Sequence, residues 1–188
     1  VSWDEALAAT AKALSKGGDK IGAIAGDLAC AESMKATLDL FRSLGSPNLD
    51  CAQDGAKFGD ARGSYLFNST IAGIDEADVI LLIGANPRLE APVLNARIRK
   101  AWLRGAQVGV IGEAADLSYD YEHVGADAKA LGNLGKFGDV LKGAKKPMVI
   151  VGQGALTRSD GGAILRAAAN LATAVEGWNG FNVLHTAA

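Results

Sequence analysis

The sequence predicts an α/β fold, a mostly parallel sheet with helices on both faces. Two observations carry this. The run ADVILLIGANPRLEAPVLNARIRKAWLRGAQVGVIG at Ala77–Gly112 reads as strand, turn, helix, strand. Across the chain, five short strand-like runs alternate with helical stretches, the pattern that builds a parallel sheet with covered faces.

The elements follow in order. Ser2 and Glu5 have capping-box spacing, with Trp3, Leu7, Ala11 and Leu14 behind them at helical intervals. Gly17 and Gly18 end that helix, and Ile21–Ala25 is the first strand, closed by Gly26. A helix from about Ala31 to Leu44 presents Met34, Leu38 and Phe41 on one face. Gly45, Ser46 and Pro47 break it before a short strand at Asn48–Asp50. Gln53–Gly63 lacks periodicity and reads as loop.

Val79–Ile83 is continuously apolar, as a strand covered on both faces should be. Gly84 ends it, Asn86 suits a cap, and Pro87 and Pro92 belong near the helix start, where a missing N–H costs little. Ala91, Leu94, Ile98 and Ala101 form the apolar face of that helix, and Arg97, Arg99, Lys100 and Arg104 its polar side. Gly105 stops it, and Val108, Val110 and Ile111 give the next strand. Tyr119–Gly143 is weaker, because Gly132, Gly135 and Gly138 disfavour helix. Met148–Val151 is the fifth strand. Gly152 and Gly154 turn it, and Ser159 caps a helix carrying Ile164, Ala168, Leu171 and Val175.

Composition excludes several classes. With 19 basic against 21 acidic residues, a net charge of −2, the chain lacks the basic field of a generic nucleic-acid binder. No apolar run approaches the ~20 residues that span a bilayer, and no stretch reads as a secretory signal. Two cysteines without a CxxC suit a reducing compartment. At 188 residues and 49% hydrophobic, the chain suits one domain or a large piece of one, with a subdivision expected near 117–146. It opens on Val1 and closes on FNVLHTAA, and we read it as an excised fragment. Phe181, Val183 and Leu184 should form a strand or cover an apolar surface.

The residues offer little chemistry. Gly26, Gly84 and Gly152 each follow a strand, where open α/β sheets bind ligands. Neither GxGxxG nor GxxxxGK[ST] is present, so strand-to-helix turns explain these glycines better. Cys30 and Cys51 read as small buried hydrophobes, lying past the same edge of two adjacent parallel strands. Two Cys and two His are too scattered for zinc. His123, in an extended segment, and His185 have no nucleophile in motif context. Arg88, Arg97, Arg99, Lys100 and Arg104 read as a solvated basic face rather than a docking patch.

Longer runs carry a resemblance. VSWDEAL at Val1–Leu7, SPNLDC at Ser46–Cys51, SYLFNSTIAGIDEADVILLIGANP at Ser64–Pro87 and KKPMVIVGQGAL at Lys145–Leu156 resemble the molybdopterin oxidoreductase superfamily. They are more similar still to the large iron–sulfur subunits of respiratory NADH:quinone oxidoreductase, complex I. VLNARIRKAWLRG, VGVIGEAADLSYDYEHVGA and WNGFNVLHTAA resemble the alphaproteobacterial and mitochondrial branch.

The resemblance implies a Rossmann-like, molybdopterin oxidoreductase-like fold. It also implies a cofactor-free structural role in a peripheral-arm subunit that takes part in electron transfer from NADH to quinone. [2Fe–2S] and [4Fe–4S] clusters would lie in an amino-terminal part of the parent subunit. The partners would be other peripheral-arm subunits, with no nucleic acid and no direct membrane insertion. The place would be the cytoplasmic side of a bacterial inner membrane, or the matrix side in mitochondria. In molybdenum members, a Cys, selenocysteine or Ser ligand follows the NxD strand end. A gap-free match puts Ala56 there, with Cys51 too near the strand. No catalytic, cofactor-binding or metal-ligating residue is therefore assigned. Two alternatives remain: an active bis-molybdopterin oxidoreductase, and the central domain of a thiamine-diphosphate enzyme, whose two units usually run in the reverse order.

Overall fold

The computed structural model describes residues 1–26, 28–51, 54–172 and 175–185. These fall into two compact units, divided between Asp54 and Gly55. The segment 117–146 runs within the second unit.

The first unit holds helix α1 (Trp3–Leu14), strand β1 (Ala23–Ile24), helix α2 (Ala31–Ser43) and strand β2 (Leu49–Asp50). The capping box on α1 is formed: the Glu5 amide donates to Ser2 Oγ at 3.2 Å, and the Ser2 amide to Glu5 Oε2 at 2.7 Å. β1 and β2 pair in parallel as a two-stranded sheet of their own. The Ser46 hydroxyl fastens them by donating to the Ile21 carbonyl at 2.7 Å, and the Asn48 side chain donates to the Asp19 and Ile21 carbonyls. The first two expected strands are thus present, but they do not join the main sheet.

The second unit is built on a five-stranded parallel sheet in the order β5-β4-β3-β6-β7. The strands are β3 (Val79–Ile83), β4 (Gln107–Ile111), β5 (Glu122–Gly125), β6 (Pro147–Gly152) and β7 (Phe181–Leu184). The helices are α3 (Thr70–Gly73), α4 (Pro87–Glu90), α5 (Pro92–Leu103), α6 (Gly135–Gly143), α7 (Gln153–Leu156) and α8 (Gly161–Leu171). All five β3 side chains are buried, split by the pleat between two cores. Val79, Leu81 and Ile83 pack with Phe137, Leu141, Ile164 and Ala168 of α6 and α8. Ile80 and Leu82 pack with Leu94, Ile98 and Ala101 of α5. Helices therefore cover both faces, as the continuous apolar run requires.

Several expectations are corrected. The helix after β3 is two helices, broken at Ala91, with Pro87 and Pro92 each at a helix start. Asn86 precedes α4 but makes no side-chain capping bond. α8 starts after Asp160 rather than Ser159 and ends at Leu171, so Val175 lies beyond it. The glycine-bearing stretch 135–143 is helical, because Phe137 and Leu141 reach the core and outweigh weak local propensity. Cys30 and Cys51 are exposed, not buried: their strands lie in a sheet too small to cover its ends. They do follow the carboxyl ends of adjacent parallel strands, as expected. Residues 54–61 have no helix or strand, and Gln53 lies outside the described residues.

β7 supplies the expected closing strand. Its Asn182 is wholly buried, and its side chain exchanges hydrogen bonds with the amide and hydroxyl of Ser69 at 2.8 and 2.9 Å. The Val183 amide donates to the Leu66 carbonyl at 3.1 Å. Residues 66–69 thus line the outer edge of β7.

Candidate functional site

Sheet order locates the site. The chain leaves β3 toward β4 on one side and returns through β6 on the other. The carboxyl ends of β3 and β6 therefore flank a topological switch point, where such sheets open a ligand crevice. Gly84 and Gly152, both singled out from sequence, lie there; Gly26 belongs to the first unit.

Here the two turns lean on each other. A Cβ on Gly84 would stand 2.5 Å from the Ala155 nitrogen, and one on Gly152 would stand 2.6 Å from the Ala85 Cβ. α7 starts directly after β6, which brings Ala155 onto Gly84. Glycine is required because side chains would separate the two turns, and Gly84 also has φ +56°. What remains between Gly84, Gly112, Asp127, Gly154 and Arg158 is a cleft of 70 Å³. Ligand pockets usually span about 300–1,000 Å³. Arg158 faces it but is engaged by Asp160 through two hydrogen bonds, at 2.7 and 2.9 Å. That pairing holds the Asp160 carboxyl below the usual carboxylate range.

A larger groove of 500 Å³ lies alongside, lined by Ala85, Asn86, Glu90, Gly112 and Glu113 among others. It has the size for a ligand but not the charge for a pyrophosphate. Its lining carries two carboxylates and no Lys or Arg. The Asn86 amide, placed where an anion would bind, instead donates to the Glu90 carboxylate. Helix N-termini favour anions because their free amides point outward; here the chain provides its own anion. Arg88, the nearest cation in sequence, is turned to Asp116.

The remaining candidates do not converge. Ala56 is partly buried against the core cluster under α6 and α8 and offers no ligand atom. Cys51 is exposed in the first unit. His123 Nε2 is 2.9 Å from the Gly112 carbonyl, and the His185 ring stacks edge-on to Phe58 at 4.8 Å between centroids. Among the described residues, no three His, Cys, Asp or Glu cluster as metal ligands. These residues do not fit a molybdenum centre with its dinucleotide: the cleft between the two turns is only 70 Å³, the neighbouring groove carries carboxylates and no cation, the Asn86 amide is taken by Glu90, and the expected ligand position is an alanine.

The basic face is exposed to solvent and also ion-paired. Arg97, Arg104 and Lys100 converge on Asp75 at 2.6, 3.1 and 3.8 Å, and Arg99 Nε donates to the Ser118 carbonyl. Asp75 was missed as a counter-charge because it lies 22 residues before Arg97, outside helical spacing.

This parallel sheet, covered by helices on both faces, defines an α/β class of protein with a Rossmann-like sheet. The molybdopterin oxidoreductase family profile matches residues 1–188, and the chain belongs to that family. It is similar to the mitochondrial NADH-ubiquinone oxidoreductase 78 kDa subunits of Neurospora crassa and Candida albicans. Identity is 45% over all of this chain for the first and 44% over 98% for the second. It is also 40% identical, over 98% of its length, to the mitochondrial NADH dehydrogenase [ubiquinone] iron-sulfur protein 1 of Solanum tuberosum. The chain spans 27%, 28% and 26% of those relatives.

Proposed function

We propose that this chain is a cofactor-free part of the large iron–sulfur subunit of complex I, in the arm that carries electrons from NADH to quinone. Identity of 40–45% over at least 98% of the chain supports the assignment. The observation that carries the cofactor-free reading is the seat of Ala155 on Gly84, which leaves a cleft of only 70 Å³ between the two turns, beside a groove that carries no Lys or Arg. The chain's own work is structural: it presents a rigid, ion-paired surface while electrons pass through clusters elsewhere in the subunit. The partners are other peripheral-arm subunits. No helix among the described residues is long and apolar enough to cross a membrane. The place is the matrix side in mitochondria, or the cytoplasmic side of a bacterial inner membrane.

Purification of the tagged protein from its native membranes tests this. NADH:quinone activity and iron should copurify with it, with molybdenum far below one per chain. Stoichiometric molybdenum, or recovery free of NADH:quinone activity, would overturn the reading.

A further inference from the structure

Asn179 is the one asparagine of the chain that a glycine follows. Packing demands that glycine, because a Cβ on Gly180 would run into the Pro147 carbonyl oxygen. Two anchors on β6 flank the pair. The Trp178 indole donates to the Pro147 carbonyl at 2.7 Å, and the Val149 amide donates to the Gly180 carbonyl at 2.8 Å. Asn179 itself is exposed.

The hydrogen bonds here favour ring closure between the Asn179 side chain and the next peptide nitrogen. The Phe181 amide donates to Asn179 Oδ1 at 3.2 Å, a turn that folds the side chain back along the backbone. The same donor stabilises the negative charge that Oδ1 gains when its carbon is attacked. The Ser69 hydroxyl donates to the Asn179 main-chain carbonyl at 2.6 Å and accepts from the Asn182 side chain at 2.9 Å. Polarising that carbonyl makes the attached Gly180 N–H more acidic, and linked hydrogen bonds strengthen one another. Among the described residues nothing accepts from the Gly180 amide, so no bond must break before it reacts. Asn68, which precedes a serine, is the contrast. Its side-chain amide donates to the carbonyls of Gly63, Leu66 and Phe181 and is held in place.

We propose that Asn179 is a site of spontaneous deamidation in the folded protein. Hydroxide takes the Gly180 N–H proton, and the nitrogen bonds to Asn179 Cγ. The Cγ–Nδ2 bond then breaks, and ammonia leaves with a proton from water, which restores the hydroxide. The resulting succinimide takes up water. Opening at Cγ leaves aspartate, and opening at the main-chain carbonyl leaves isoaspartate, which adds a methylene to the backbone. Aspartate fits, since its carboxylate still accepts from Phe181. Isoaspartate does not fit between the fixed anchors at Trp178 and Gly180, so it loosens the start of β7. None of this depends on the assignment to complex I.

The test uses the complete protein in its native assembly, aged at mildly alkaline pH. Peptide mass mapping and an isoaspartate-specific methyltransferase read the products. Acid should appear at Asn179 before any other asparagine of these 188 residues, and faster in the native protein than in urea. Ser69→Ala should slow the native reaction about fivefold, the contribution of one hydrogen bond. If Ser69 served only to hold β7 down, its loss would speed the reaction instead. Asn179→Gln should leave the position unchanged over the same period. An equal or faster reaction in urea would overturn the proposal, as would earlier acid at another asparagine or an unslowed Ser69→Ala. If Ser69→Ala fails to fold, the wild-type comparison of native and unfolded rates decides alone.

Discussion

Ala155 stands against Gly84 across the switch point, its nitrogen 2.5 Å from where a Gly84 Cβ would be. Gly84→Ala must either push α7 off the end of β3 or strain a backbone at φ +56°. Strain and overpacking together should cost roughly 3 kcal/mol. Gly105→Ala is the control: φ is +104° but nothing lies within 4 Å, so only strain remains. Urea unfolding of both variants should show the larger loss at position 84.

Phe137 fills the space left by a missing side chain on β4. A Cβ on Gly109 would lie 2.6 Å from its ring. Gly109→Ala should destabilise by about 1–3 kcal/mol, and Phe137→Ala by about 3–5 kcal/mol. The double variant should lose clearly less than the sum, because the residues share one space. Strict additivity in denaturant melts would show that they do not.

Tyr119 donates its hydroxyl to Asn95 Oδ1 at 2.8 Å in the core, while Asn95 Nδ2 donates to the Leu117 carbonyl. Tyr119→Phe leaves a buried acceptor without its donor and should cost about 1–3 kcal/mol. Burial, with a smaller push from Tyr121, holds the phenol pKa well above its ordinary value of 10.0. Stability tied to the neutral phenol is full below pH 10 and falls above it, as the unfolded chain ionises. Thermal melts should show the alkaline loss shrink in Tyr119→Phe.

Asp75 receives Arg97 and Lys100 of α5 and Arg104 just past its end. The hydrogen bond from Arg104 and the charges of Lys100 and Arg97 hold its carboxyl below its ordinary value. A depressed carboxylate stabilises above its unfolded pKa, about 4, and loses that contribution as pH falls through the folded value. Asp75→Asn should lower the melting temperature at neutral pH, and wild type and variant should converge in acid. Salt near 1 M, with a screening length of about 3 Å, should narrow the gap. A gap unchanged by acid would refute the role.

Cys30 has its sulfur 3.1 Å from Ser33 Oγ, and that hydrogen bond holds its thiol below the ordinary value. Thiolate is the reactive form. Cys30 should therefore alkylate faster than Cys51 at neutral pH, and Ser33→Ala should slow it selectively. Mass spectrometry of timed iodoacetamide labelling reads both sites at once.

Much of the second unit was legible because its signals are local. The apolar run Val79–Ile83 announces a covered strand, Gly84 ends it, and Gly105 ends the helix that follows. The break at Ala91 was not, since two prolines five residues apart allow one helix or two. β5 was legible only as an extended segment around His123, because EHVG at Glu122–Gly125 has polar residues at an exposed edge. The separation of β1 and β2 from the main sheet was also invisible: alternation predicts parallel strands, not which sheet holds them. At the site, Gly84 and Gly152 could be named from their strands. Ala155 could not, because an alanine in a four-residue helix carries no signal until the sheet order sets it on Gly84.

The clasp between Ser69 and Asn182 spans 113 residues. Contacts so far apart in sequence form late, because the chain must first close a long loop. During synthesis the segment 66–69 is made 113 residues ahead of its partner in β7. Until then β6 presents a bare apolar edge, and the growing chain is most open to aggregation and to chaperones. A chain cut before residue 181 would hold a sheet of four strands with the β6 edge open. Completion of this unit is therefore timed by the arrival of one buried asparagine.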